Sequence, residues 1–90
     1  MSNFTPHAKK LNTETIDFLI LDLDLALTFM DTAEVTRIKE TVERNHRNAR
    51  AAYYTVLDLL QKLKPNAAQQ QEIDKRTAVL RARLRDAGQL

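Results

Sequence analysis

The sequence predicts an all-α protein, a three-helix up-down arrangement with a long central helix. The chain has 90 residues with one Gly and two Pro, too few turn-forming residues for a β-rich fold. Apolar residues recur at helical spacing in three segments. Hydrophobic residues make up 43% of the chain and charged residues 29%, a mixture typical of globular rather than disordered proteins.

The length predicts one domain, because independent domains run from about 50 to 250 residues. We expect residues 1–12 to be a flexible leader, since their apolar residues show no period, and residues 13–90 to form a single helical domain. The chain has no cysteine, which excludes disulfides and thiolate metal sites. We expect the protein to be cytoplasmic.

The first helix is predicted at residues 13–30. Leucines alternate with acidic residues between Leu21 and Leu25, but a helical period explains more positions and gives an apolar arc of roughly 220°. Asp31 and Glu34 have the spacing of a capping box, with Met30 placed to pack on Val35. This pattern predicts a tight hairpin, with a new helix starting at the cap.

The central helix is predicted at residues 32–64 and is expected to be continuous through residues 45–48. Thirty-three residues would make a rod of about 50 Å, which the shorter first helix could cover only in part. Two columns repeat every seven residues. They consist of Val35, Val42, Ala49, Val56 and Leu63, and of Ile38, Asn45, Ala52 and Leu59.

The third helix is predicted at residues 67–87. Pro65 would end the central helix, Asn66 with Gln69 has the form of an N-terminal cap, and Gly88 follows the last apolar position. The apolar stripe of this helix spans only about 80°, which suits one partner helix. It is formed by Ile73, Thr77, Leu80, Leu84 and Ala87.

Charge is distributed unevenly along the chain. Residues 1–31 contain two basic and five acidic residues, residues 32–64 seven and four, and residues 65–90 five and three. An acidic first third and a basic remainder favour attraction between helices, within one molecule or between subunits.

The wide apolar arc of the first helix predicts assembly. An arc of roughly 220° must be covered from at least two directions, whereas a hairpin supplies one neighbour. We therefore expect a homo-oligomer, with a dimer favoured, that builds a larger bundle, or else a protein partner; the alternative is a monomer closed by the third helix. The candidate interface residues are Phe18, Asp22, Leu25, Phe29, Tyr53, Tyr54 and Leu57.

Asp22 lies near the middle of the apolar arc, where an unpaired carboxylate would be destabilising. We expect it to pair with Arg50, with His46 or with an arginine of a neighbouring subunit. The alternative is a rotation of the helix that leaves Asp22 at the solvent edge.

The sequence predicts a non-catalytic interaction or assembly module. It contains no defensible serine–histidine–aspartate arrangement, no glycine-rich phosphate loop and no metal-binding histidine spacing, so we predict no catalytic, cofactor-binding or metal-binding residues. The longest apolar run, residues 18–30, is shorter than the roughly 20 residues that span a bilayer. We therefore expect no membrane segment.

The alternative function is that of a nucleic-acid-associated regulator. The net charge of +2 is too small to indicate nucleic-acid binding by itself, which argues against such a partner. Two arginine-bearing surfaces would serve this role. They comprise Arg37, Arg44, Arg47 and Arg50 on the central helix and Arg76, Arg81, Arg83 and Arg85 on the third.

Overall fold

The structure is a computed structural model that describes residues 4–90, with side chains from residue 14 onward. It contains three helices: α1 (Phe4–Val35), α2 (Lys39–Leu60) and α3 (Ala67–Asp86). No strand occurs among these residues, which confirms the all-α prediction. Residues 1–3 of the predicted leader lie outside the described residues, and α1 begins at Phe4 within that segment.

The longest helix is α1, with 32 residues, and not the central helix, which has 22. The predicted break at Asp31 is wrong, because α1 continues to Val35 and the chain reverses in residues 36–38. Because the chain stays helical through this segment, Met30 and Ala33 are buried. The continuous helix also allows the carboxylates of Asp31 and Glu34 to bind a side chain of α3 instead of capping a new helix.

Because the chain reverses at residues 36–38, the first residue of each predicted seven-residue column lies outside the core. Val35 is 81% exposed and Ile38 is 60% exposed, because they lie at the two ends of the turn. Further along α2 the columns are confirmed, with Asn45, Ala49 and Val56 buried. The helix is continuous through residues 45–48, as expected.

The end of α2 lies at Leu60 rather than at residue 64. Lys64 precedes Pro65, and the residue before a proline is disfavoured in the helical region. The backbone N–H groups of Gln61 and Lys62 donate to carbonyls three residues earlier, at 3.3 and 3.0 Å. This tightened turn satisfies two of the last four carbonyls of the helix.

The α3 helix matches its predicted boundaries within one residue. The Asn66 side chain accepts a hydrogen bond from the Gln69 backbone N–H at 2.8 Å, and the Gln69 side chain accepts one from the Asn66 N–H at 3.0 Å. This is the capping box that the sequence indicated. Gly88 has φ +73°, a conformation that glycine adopts without strain after a helix end.

The core lies between the three helices. Its α3 side is the predicted stripe, with Ile73, Thr77, Leu80 and Leu84 buried. Asn45 is also buried and donates from Nδ2 to the Thr41 carbonyl at 2.8 Å. The remaining core residues are Ile16, Leu19, Leu23, Ala26, Met30, Ala49, Tyr53 and Val56.

The α1 and α3 helices run parallel, and the residues that face each other keep the same offset along both helices. The side chain of Gln69 donates to Asp17 at 3.4 Å, and Arg76 donates to Asp24 at 2.7 Å. Arg83 binds Asp31 at 2.8 Å. Both members of each pair repeat every seven residues, so the three contacts form a polar ladder along one edge of the α1–α3 contact.

Candidate interaction surface

Three large apolar side chains of α1 are exposed in one row. Phe18, Leu21 and Leu25 are 65%, 60% and 51% exposed, and their three- and four-residue spacing places them on one side of the helix. At 100° per residue this side lies roughly 150° around the helix from the buried residues. We call the surface formed by Phe18, Leu21 and Leu25 the α1 face.

Acidic residues border the α1 face. Asp17 and Asp22 are exposed on its two sides, and Glu14 is exposed at its N-terminal end. Glu14 and Asp17 line a shallow pocket of about 330 Å³ with Phe18 and Leu21. The surface therefore combines an apolar strip with an anionic border.

The acidic residues on the α3 side of α1 are used within the chain. Arg76 binds Asp24 at 2.7 Å and also binds Glu72, while Arg83 binds Asp31 and Glu34 at 2.8 Å each. The hydrogen bond to Asp24 raises the pKa of Arg76, and the hydrogen bond to Glu34 raises that of Arg83. The predicted attraction between the acidic and basic parts of the chain therefore acts between α1 and α3.

The placement of Asp22 differs from the expected buried pair. Its side chain is exposed, because at 100° per residue it lies roughly 70° around α1 from the middle of the buried residues, at the edge of the side that the other helices cover. Neither Arg50 nor His46 pairs with it, and Arg50 donates instead to the Gln89 side chain at 3.2 Å. The solvent-edge alternative is the one that the structure supports.

The other α1 candidates divide between surface and core. Phe18 and Leu25 are exposed as expected, whereas Phe29 is partly buried and packs against the core. Leu21 was missed among the sequence candidates. Its position three residues after Phe18 and four before Leu25 is the signal that could have identified it.

The α2 candidates do not form a second apolar surface. Tyr53 is buried, contrary to its predicted interface role, and its hydroxyl accepts a hydrogen bond from Arg81 Nε at 2.7 Å. Leu57 packs partly buried against the core. Tyr54 is 55% exposed and meets the Tyr53 ring edge-on, with centroids 5.4 Å apart. A single exposed aromatic ring is ordinary on a protein surface.

A second shallow pocket, of about 230 Å³, lies near the C-terminal ends of α1 and α3 and is lined in part by His46, Glu34 and Arg83. Arg83 is already bound by two carboxylates, so it offers no free charge to an anionic ligand. Among the residues whose side chains are described, no cluster of three histidine, cysteine or acidic residues could hold a metal ion.

Four arginines of the two predicted basic surfaces make contacts inside the chain. Arg50 binds Gln89, Arg76 and Arg83 bind the acids of α1, and Arg81 binds Tyr53. These contacts occupy most of the α3 arginines. Within the described part of the chain, no helix is both long and apolar enough to cross a membrane.

Comparison with known proteins adds no assignment. No protein-family model, curated protein or solved structure matches this chain.

Proposed function

We propose that the protein is a non-catalytic interaction module and that its α1 face binds one helix of a partner protein. The observation that carries this proposal is the exposure of Phe18, Leu21 and Leu25, each more than half accessible to solvent. Scattered apolar residues are normal on a surface, but a contiguous apolar row bordered by polar residues is typical of an interaction site.

The dimensions of the α1 face suit a helix. The row from Phe18 to Leu25 is about 10 Å long at 1.5 Å per residue and one side chain wide. Binding of an amphipathic helix along such a row uses contacts at three- and four-residue spacing. Completing the burial of the three side chains would contribute about 1 kcal/mol each, before the entropy of association is subtracted.

Self-association, with a dimer favoured, is the second candidate. A two-fold axis on the α1 face would pair the apolar row with the same row of a second copy. The acidic border would then face itself, and like charges brought together oppose binding. The border therefore favours a different protein over a second copy.

A nucleic-acid role receives less support. Fewer arginines are free to bind phosphates, because four of them make contacts inside the chain. These are Arg50, Arg76, Arg81 and Arg83. The most accessible apolar row is bordered by acids, which would repel a polyanion.

Site-specific photo-crosslinking in the native host tests the proposed function. A photoreactive amino acid at Leu21 is expected to give one discrete adduct, and the same amino acid at Tyr54, a comparably exposed position on α2, is expected to give none. Adding Leu25→Lys to the Leu21 probe should abolish the adduct, because it places a charge within the row.

The mass of the adduct identifies the occupant. An adduct of twice the 10.4 kDa chain would mean self-association, and any other discrete mass a different protein. Equal adducts at the two positions, or no adduct at Leu21 in a chain whose circular dichroism is unchanged, would contradict the proposal.

A further inference from the structure

We propose that the helix bound by the α1 face is cationic, with Lys or Arg on both borders of its own apolar strip. This inference rests on the proposed function of the α1 face and adds the chemistry of the partner.

The part of α1 from residue 11 onward contains no positive charge. Residues 11–36 contain no Lys, Arg or His. Six acidic residues lie in the same span, at Glu14, Asp17, Asp22, Asp24, Asp31 and Glu34. From residue 11 onward α1 is thus negative except where another helix supplies a cation, although Lys9 and Lys10 precede this stretch in the same helix and the whole chain carries +2.

The cations of α3 neutralise only one side of α1. Asp24, Asp31 and Glu34 bind Arg76 or Arg83. Within the described part of the chain, Glu14 and Asp22 form no ion pair, and Asp17 receives a hydrogen bond from the neutral amide of Gln69 at 3.4 Å. Among the residues of α1 whose side chains are described, from residue 14 onward, the three acids that border the α1 face are therefore those without a cationic partner.

These acids are placed to contact a docked helix on both sides. Asp17 and Asp22 are about 140° apart around α1 at 100° per residue, with the α1 face between them. Helices packed along an apolar seam select their partners through charges that flank the seam. Positive charges on both flanks of the incoming helix would complement this arrangement, and an anionic helix would be repelled.

A pair of synthetic peptides tests the inference on the full chain. We would use a fluorescently labelled amphipathic helix of about 20 Leu and Lys residues, long enough to form a helix on binding, and a matched peptide with Glu in place of Lys. Fluorescence anisotropy is expected to show binding of the Leu/Lys peptide and none of the Leu/Glu peptide. Competition by the Leu/Lys peptide should also reduce the crosslink at Leu21.

Substitutions that remove negative charge distinguish the effect of the acids bordering the α1 face from the effect of the net charge of the protein. The double variant Asp17→Asn/Asp22→Asn is expected to weaken binding of the Leu/Lys peptide about fivefold, given about 0.5 kcal/mol for each exposed charge contact. The double variant Glu40→Gln/Asp58→Asn removes two exposed acids from α2 and should leave the affinity unchanged. All four residues are exposed, and an asparagine at position 17 keeps an amide oxygen that can accept the hydrogen bond from Gln69, so we expect the fold to be retained.

Three results would overturn the inference. Equal binding of the two peptides would mean that the apolar row alone determines binding, and equal weakening by the two double variants would mean that only the net charge matters. A Leu21 crosslink that yields only the doubled chain, with no peptide binding, would assign the face to a second copy. A missing crosslink at Leu21 is a different result, which removes the proposed function itself.

Discussion

Thr77 is a buried hydroxyl in the middle of α3 without a hydrogen-bond partner among the described atoms. An unsatisfied buried polar group costs about 1–3 kcal/mol, and valine has nearly the same shape. We expect Thr77→Val to raise the free energy of unfolding by about 1 kcal/mol in urea denaturation. The control Thr55→Val, at an exposed position on α2, should change it by less than about 0.5 kcal/mol. A loss of stability in Thr77→Val would show that the hydroxyl is bonded.

Single residues show where local sequence patterns were sufficient and where they were not. Asn66 and Gln69 form the predicted capping box because both partners lie three residues apart. Asp31 and Glu34 have a similar pattern but bind Arg83, about 50 positions away, and no local pattern reports a cation at that distance. The orientation of Asp22 likewise depends on which side of α1 the other helices cover.

The polar ladder between α1 and α3 leads to a prediction at the level of the helix pair. We expect a double-mutant cycle of Asp24→Asn and Arg76→Gln to give a coupling of about 0.5–1 kcal/mol in the free energy of unfolding, because Arg76 is only 24% exposed. The pair Asp58 and Lys62 on α2 has both side chains more than two thirds exposed. The same cycle there should give a coupling near zero. Equal couplings would mean that the ladder does not hold α3 on α1.

The ion pair between Arg76 and Glu72, both on α3, predicts a dependence of stability on pH. The hydrogen bond from Arg76 lowers the pKa of Glu72 below its ordinary value of 4.5. A carboxyl whose pKa is lowered by folding stabilises the fold fully above its unfolded pKa, and this contribution is lost as the pH falls through the folded pKa. Wild type should therefore lose more stability than Glu72→Gln in urea titrations between pH 5 and pH 3. Parallel losses in the two proteins would contradict this.

The sequence predicted the boundaries of some helices more accurately than those of others. The α3 boundaries follow from its own caps and its narrow apolar stripe, so the sequence located them within one residue. The reversal between α1 and α2 has no proline or glycine, and its position depends on the burial of Met30 and Ala33 and on Arg83. Asp17, Asp24 and Asp31 recur every seven residues in the sequence, but only the structure shows that they align with Gln69, Arg76 and Arg83 of α3.

The exposed row on α1 follows from the shape of the whole molecule. The chain forms a rod 56 Å long and 20 × 17 Å in cross-section, and a helix with its side chains is about 10 Å across. Three helices packed side by side fill a cross-section of this size, so one side of each helix faces solvent. The predicted hairpin gave α1 one neighbour, whereas the structure gives it two, because α3 packs on it beside α2. The apolar arc of roughly 220° on α1 is wider than these two neighbours cover, and Phe18, Leu21 and Leu25 occupy the remainder.

Two leucines two positions apart on α1 provide the sharpest test of this geometry. Leu21 is 60% exposed, whereas Leu23 is fully buried. We expect Leu23→Ala to lower the free energy of unfolding by about 2–5 kcal/mol, through lost burial and a residual cavity. Leu21→Ala should change it by less than about 0.5 kcal/mol, because little apolar contact is lost within the chain. Both values come from urea denaturation at a concentration where light scattering shows one chain per particle. A loss in Leu21→Ala comparable to that in Leu23→Ala would mean that the α1 face is covered within the single molecule, and no binding surface would remain.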